Sequence, residues 1–374
     1  MLVPKLRFKE FNDEWKKVKI NKILKIKHGK NQKEIECING KYPILGTGGI
    51  IGTTNTPAYL KESVLIGRKG TIDKPMYINI PFWTVDTLFY SDVSSKYNVK
   101  FIYYLFNTIN WKKYDESTGV PSLSANTIEN IDVNISLEKE EQLKISHFLS
   151  LIDKKIELQQ RKIEVLKMYK KGLERKVFNT LSKSTNNKII TEIADTFIGL
   201  VTTMTEHYVE NGVRLIRNSD IKENQFIFNG DIFLDENFAN KNCNRKHIIG
   251  DIVTVHTGDV GTSAIIDEKL NGSIGFATIV TRVKNNEIAN NKYICWYYNS
   301  SIYKNIIKNI ITGDGRNNLN MKDFNKIKIP LPSIEQQEKI SNIFENIKSK
   351  IVSCEKEYKV LVKYKKYLLQ QMFI

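Results

Sequence analysis

Apolar residues recur along residues 138–180 at Ile145, Leu149, Ile152, Ile156, Ile163, Leu166 and Leu173. They recur again along 333–374 at Ile340, Phe344, Ile347, Ile351, Tyr358, Leu361 and Leu368. The steps alternate by four and three, which is the spacing of a narrow coiled-coil seam on a helix. Gln159 and Cys354 interrupt this seam at one shared place, Lys170 and Lys365 at another. Pro330 and Pro332, followed by Ser333-Ile-Glu-Gln336, read as a capping box that opens the second helix. Each helix of roughly 39 residues would extend about 58 Å. Outside these stretches, Ser63–Ile66 just ahead of Gly67 and the aligned Asp251–Val255 ahead of His256 read as strands.

The two helical stretches are copies of one another. Residues 140–178 and 335–373 align without a gap, with 15 identities in 39 positions. Gln142, Ser146, Leu166, Tyr169 and Phe178 recur as Gln337, Ser341, Leu361, Tyr364 and Phe373. The repeat continues upstream more faintly: KFIYYLFNTI at 100–109 matches the segment beginning at Lys292, Gly70 aligns with Gly258, and Gly29 aligns with Gly199. A repeat on this scale means one structural unit used twice. The order is therefore globule, helix, globule, helix.

Chain reach predicts how the helices pair. Only the polar stretch 179–188 leads into the second globule, and ten extended residues span about 33 Å, less than a helix length. The second helix must then run back along the first, as an antiparallel pair with a pseudo-two-fold between the halves. The competing arrangement has each amphipathic helix lying on its own globule; a narrow seam suits a partner helix better.

Composition adds a charge. The 374 residues carry 57 Lys+Arg against 41 Asp+Glu, a formal net charge of +16. No apolar run approaches the roughly 18 residues of a membrane span, and the opening MLVPKLRFKEF has no stretch of signal-peptide length. The four cysteines are scattered without a C-x-x-C pair, which suits a reducing compartment. The expectation is a soluble cytoplasmic protein whose partner is a polyanion, nucleic acid first. Eight lysines and no acidic residue lie between Trp15 and Lys33, and Lys25, Lys27 and Lys30 are candidates for phosphate contact. A solvated lysine-rich face would look the same.

Catalytic motifs are missing. Asn79-Ile-Pro-Phe82 resembles the Asn-Pro-Pro-aromatic box of amino-methyltransferases but has Ile80 where that box needs proline. Gly46-Thr-Gly-Gly49 lacks the acidic residue of a nucleotide site and reads as a turn between strands. There is no phosphate-binding loop, no Pro-Asp dipeptide and no histidine pair at metal-ligand spacing. No metal site, no bound cofactor and no catalytic residue is expected.

Base reading needs side chains held at groove edges by a supported loop. Arg68, Lys69 and Thr71 follow the first predicted strand; His256, Thr257 and Asp259 occupy the aligned place in the second half. The glycine segments ahead of the helices add Ser122 in one half and Arg316, Asn317 and Asn318 in the other. Each segment could equally be a plain turn. The halves align in position and differ in chemistry, as two readers of different bases would.

At this point the chain resembles a known family. The opening LRFKEF…EWKKVKI, and above all the block TGDGRNNLNMKDFNKIKIPLPSIEQQEKI leading into the last helix, are similar to the specificity subunits of type I restriction–modification systems. The copy at 118–145 lacks the Pro-x-x-Glu-Gln spelling. The resemblance implies an α+β fold: two mixed α/β target-recognition domains joined by two long antiparallel coiled-coil helices. Their expected extents are 1–137 and 181–332, with a central spacer helix at 138–180 and a C-terminal one at 333–374. It further implies a non-catalytic subunit, one copy per complex, that binds an asymmetric bipartite site on double-stranded DNA. Two methylation subunits would bind S-adenosylmethionine, and restriction subunits would use ATP and Mg. A stand-alone methyltransferase or nuclease, or a coiled-coil scaffold unrelated to DNA, are the alternatives.

Overall fold

The computed structural model describes residues 3–311 and 318–374. The chain forms two compact units, one of Met1–Arg161 with Glu355–Ile374 and the other of Lys162–Cys354. Each long helix therefore contributes one half to each unit.

Unit 1 contains β1 (Lys16–Lys19), β2 (Leu24–Lys27), β3 (Tyr42–Gly46), β4 (Gly49–Thr54), β5 (Ser63–Gly67), β6 (Met76–Ile78), β7 (Trp83–Thr84) and β8 (Leu88–Val93). Helices α1 (Val99–Phe106) and α2 (Ala125–Glu129), strand β9 (Asp132–Ile135) and the first half of α3 (Lys139–Ser184) follow. Its main sheet is antiparallel in the order β2-β8-β5-β6, and a smaller sheet has the order β4-β3-β7. Thr47 and Gly48 make the turn between β3 and β4, and Gly49 closes it at a φ of 114°. The glycine-rich stretch is a hairpin.

Unit 2 starts within α3 and continues with β10 (Asn187–Ile189), α4 (Ile190–Ile193), β11 (Ala194–Ile198), β12 (Tyr208–Val209), β13 (Val213–Ile216), β14 (Ile221–Lys222), β15 (Gln225–Phe226) and β16 (Phe233–Leu234). Then come α5 (Glu236–Lys241), β17 (Ile252–Val255), β18 (Ser263–Ile265), β19 (Ile274–Gly275) and β20 (Thr278–Val283). Helices α6 (Asn291–Tyr298), α7 (Ser301–Ile310) and α8 (Met321–Phe324), strand β21 (Lys328–Pro330) and the start of α9 (Ile334–Met372) complete it. Its main sheet, β11-β20-β17-β18, repeats the order of unit 1, and β10–β21 repeats β1–β9.

Strands β5 and β17 are buried throughout because both of their faces are covered. Side chains alternate along a strand. In β5, Val64 and Ile66 join the core beneath α1, while Leu65 joins Leu45, Phe82 and Leu88 on the opposite face. In β17, Ile252 faces α6 and Val253 packs with Ile216 and Ile221. Phe82, the aromatic end of Asn79-Ile-Pro-Phe82, is thus core and offers no face for stacking.

One residue of the helical repeat ties helix to globule in both units. Gln142 accepts from the backbone N–H of Asn98 at 2.8 Å and donates to the carbonyl of Ser136 at 2.8 Å. Gln337 accepts from Asn290 at 2.8 Å and donates to Pro332 at 2.8 Å. Asn98 and Asn290 are the N-caps of α1 and α6. Both glutamines are fully buried. Replacing either by alanine leaves buried backbone groups unpaired, so we expect a loss of about 2–4 kcal/mol. Denaturant unfolding of Gln142→Ala and Gln337→Ala checks this.

None of the seam residues is exposed, and they serve two purposes. Ile145, Leu149 and Leu368 belong to the core of unit 1; Phe344, with Leu173 and Ile340 beside it, belongs to that of unit 2. Nearer the middle, Ile163, Ile351 and Leu361 are buried outside those clusters, with Ile156, Leu166 and Tyr358 half-buried. Ile152 packs against the first core, and Ile347 is half-buried. Helix-on-globule and helix-on-helix packing are thus both present, at different places along the same stripe. Within unit 1 the two helices run antiparallel: Asp153 pairs with Lys365 at 2.6 Å, and Gln159 donates to Glu357 at 3.0 Å. The interruptions are functional parts of the packing. Lys365 lies over the Tyr104 ring in unit 1 and Lys170 over Trp296 in unit 2, at 5.7 and 5.2 Å.

Candidate nucleic-acid interface

β2 and β5 both pair antiparallel with β8, so they run parallel and end on the same edge of their sheet. That edge collects His28–Lys30, Gly67–Thr71 and Asp86–Thr87. Gly29 sits where a Cβ would come within 1.9 Å of the carbonyl oxygen of Val85, so only glycine fits. Gly199 in unit 2 faces Gly275 in the same way, at 2.2 Å.

The two loops singled out in each half meet at this edge. In unit 1, Lys69 and Ser122 form an isolated antiparallel bridge, Gly70 donates to the carbonyl of Pro121 at 2.8 Å, and Leu123 donates to Arg68 at 2.9 Å. Asp115 accepts from the backbone N–H groups of Ser117 and Ser122, which holds its carboxyl below the usual range. In unit 2, Thr257 and Asn318 form the matching bridge, and Leu319 donates to the carbonyl of His256 at 3.1 Å. Arg316 and Asn317 lie outside the described residues.

The chemistry of the two edges differs. Unit 1 presents donors: Lys69 is exposed, and Arg68 is half-buried with one guanidinium nitrogen donating to the carbonyl of Asp86 at 3.3 Å. Thr71 is half-buried. Unit 2 presents His256 and Thr257, half-buried, with Asp259 exposed and accepting from the Thr262 hydroxyl at 2.8 Å. A further difference lies beneath the loop. Arg68 donates its backbone N–H directly to Thr87 at 2.8 Å. In unit 2 the side chain of Asn218 is inserted at the matching place, accepting from His256 at 2.9 Å and donating to Ala277 at 3.0 Å. Asn218 follows β13, which pairs in parallel with β19 as β3 does with β7, so it stands near the place of Thr47 in unit 1 without sharing its residue type.

The lysine run is not uniformly available. Lys17 pairs with Asp132 at 3.3 Å, Lys19 donates to Asn130, and Lys25 lies 3.8 Å from Glu129. Lys27 and Lys30 are exposed beside the loop edge, and the Lys30 carbonyl accepts from the Trp83 indole at 2.9 Å. Of the candidates at the loop edge, Lys27, Lys30 and Lys69 are exposed and Arg68 is half-buried.

Two copies of one mixed α/β unit, each sharing two long helices and each ending in a paired-loop edge, make up the chain. The family model for the type I restriction modification DNA specificity domain matches residues 12–168 and again 186–363. The chain belongs to that family. It is 23% identical to the type I restriction enzyme MjaVIII specificity subunit of Methanocaldococcus jannaschii, over 96% of this chain and 91% of that protein. The fold matches the S subunit of a type I restriction–modification system from M. genitalium with a TM-score of 0.66 at 19% identity, covering 100% of this chain and 99% of that one. A chain from a second solved type I system matches with a TM-score of 0.60 at 12% identity, over 96% and 97% of the two chains.

Proposed function

We propose that this protein is the non-catalytic specificity subunit of a type I restriction–modification complex, reading a bipartite double-stranded DNA site with one half-site per unit. The observation that carries this is the repeated loop edge, alike in scaffold and unlike in side chains. The helix pair sets the separation of the half-sites. One copy of the chain directs two methylation subunits and the restriction subunits to the site, with S-adenosylmethionine, ATP and Mg bound by those partners in the cytoplasm.

The test is reconstitution. The chain alone is expected neither to methylate nor to cleave DNA, and adding methylation subunits is expected to give methylation at one bipartite sequence. Methyl transfer by the isolated chain, free of partners, would overturn the proposal. Within the reconstituted complex, Lys27→Ala with Lys30→Ala is expected to weaken binding to all sequences alike. Each lost phosphate contact should flatten the salt dependence of log K by about 0.9. Titration of DNA binding at several salt concentrations measures this.

A further inference from the structure

We propose that His256 reads the exocyclic amine of an adenine or a cytosine in the half-site bound by unit 2, accepting its hydrogen bond on Nε2. The inference rests on the reading of unit 2 as a half-site recogniser and adds the class of base it selects.

Rigid placement comes first. His256 follows Val255 at the end of the buried strand β17. Its backbone is held on both sides, the N–H by Asn218 at 2.9 Å and the carbonyl by Leu319 at 3.1 Å. Gly258 and Gly261, at φ of 102° and 86°, then turn the chain away, a conformation that favours glycine. A base-reading group gains from being fixed in this way.

The ring's hydrogen-bonding polarity follows from its neighbours. Thr257 Oγ1 donates to Asn318 Oδ1 at 2.8 Å, so its one proton is already used. His256 Nδ1 lies 2.9 Å from the same Oγ1 and must therefore be the donor. With the proton on Nδ1, Nε2 carries a bare lone pair. Burial lowers the imidazole pKa below its ordinary value, which keeps the ring neutral at physiological pH. Asp259, the acidic residue of the same loop, is engaged by the Thr262 hydroxyl.

In the major groove an acceptor finds partners on only two bases. Adenine offers N6 and cytosine offers N4 as donors, whereas guanine O6 and N7 and thymine O4 are acceptors. The equivalent positions of unit 1, Arg68 and Lys69, are donors. At these aligned positions the two units are thus opposite in polarity.

The experiment uses the chain assembled with its methylation subunits and a DNA library in which the half-site of unit 2 is fully randomised. The wild type is expected to require adenine or cytosine at one position that His256→Ala relaxes by about 5- to 30-fold, leaving the other half-site unchanged. Thr257→Ser keeps the relay and is expected to keep the preference. Thr257→Val removes the partner of Nδ1 and is expected to admit guanine or thymine at that same position. Should His256→Ala prove unstable, the two Thr257 variants decide alone. A half-site whose preferences are the same in all variants would overturn the inference while leaving the bipartite reading intact, as would a wild-type guanine or thymine at the affected position. A recognised sequence with no half-site dependent on unit 2 would overturn that reading, and the inference with it.

Discussion

Deleting Ile156–Lys162 from α3 together with Ile351–Glu357 from α9 is expected to shorten the preferred separation of the two half-sites by about three base pairs. Seven residues at 1.5 Å each remove about 10 Å from a helix, and duplex DNA rises about 3.4 Å per base pair. The deletions lie in the middle of the stripe, away from Ile145, Leu149, Phe178, Phe344 and Leu368, which anchor the helices in the two cores. They also remove Gln159 and Glu357 together, so neither is stranded without its partner. A heptad preserves the seam. Three base pairs also turn the duplex by about 100°, so the alternative expected result is loss of bipartite binding with each half-site sequence unchanged. Deleting one heptad only mismatches the helices and should chiefly destabilise the protein. Methylation mapping on a library of varied separations measures the effect. A folded double-deletion protein that kept the parental separation at parental efficiency would show that the helices are not the ruler.

The second large effect concerns stability and pH in unit 2. Burial raises the carboxyl of Glu174 to about 7, against the opposing influence of Lys170 and of the Ser301 N–H that it accepts. Burial lowers the imidazole of His247 to about 4; Asp251 works against that shift and Arg282 with it. The two signs are opposite. A raised pKa on an acid means that the folded state holds a proton the unfolded chain has lost, so the Glu174 contribution falls as pH rises from about 4.5 to about 7. A lowered pKa on histidine means that the unfolded chain binds a proton the folded state refuses, so the His247 contribution is full above about 6.5 and is lost as pH falls toward 4. Between about 4.5 and 6.5 they offset one another.

Single variants should separate them. The stability of Glu174→Gln relative to the parent is expected to grow by up to about 3 kcal/mol as pH rises from 4.5 to 7 and to level off beyond. That of His247→Gln relative to the parent should instead grow as pH falls from 6.5 to 4. Urea unfolding at half-unit intervals provides both differences. Differences independent of pH would mean that neither group titrates as described.

What could be read from the residues follows the range of each interaction. The helices and the strands β5 and β17 were legible because their patterns are local, four-and-three in one case and short and largely apolar in the other, while the burial of both strand faces shows only in the fold. Gln142 and Gln337 stood out as identities in the repeat, although their role required seeing the N-caps of α1 and α6. The meeting of Lys69 with Ser122, and of Thr257 with Asn318, was not legible, since it joins segments more than fifty residues apart. The same limit applied to the lysine run, where Glu129 and Asp132 return from distant sequence to engage Lys25 and Lys17. Asn218 and His247 stand in no local pattern, and only the fold reveals their roles.

The core of unit 1 contains Leu368, Leu369, Met372 and Phe373, with Trp15 and Phe101 packed edge-on or tilted against Phe373 at 5.9 and 5.2 Å. Residues 355–374 are separated from the rest of that unit by the whole of unit 2. During translation the first unit therefore emerges with part of its apolar interior uncovered, and waits for roughly 190 further residues. At about 5–20 residues per second that delay is roughly 10–40 s. Unit 2, whose residues are contiguous, can close first. The order of synthesis and the order of completion are then reversed, and a chain cut short after Cys354 would hold a finished second unit beside an unfinished first.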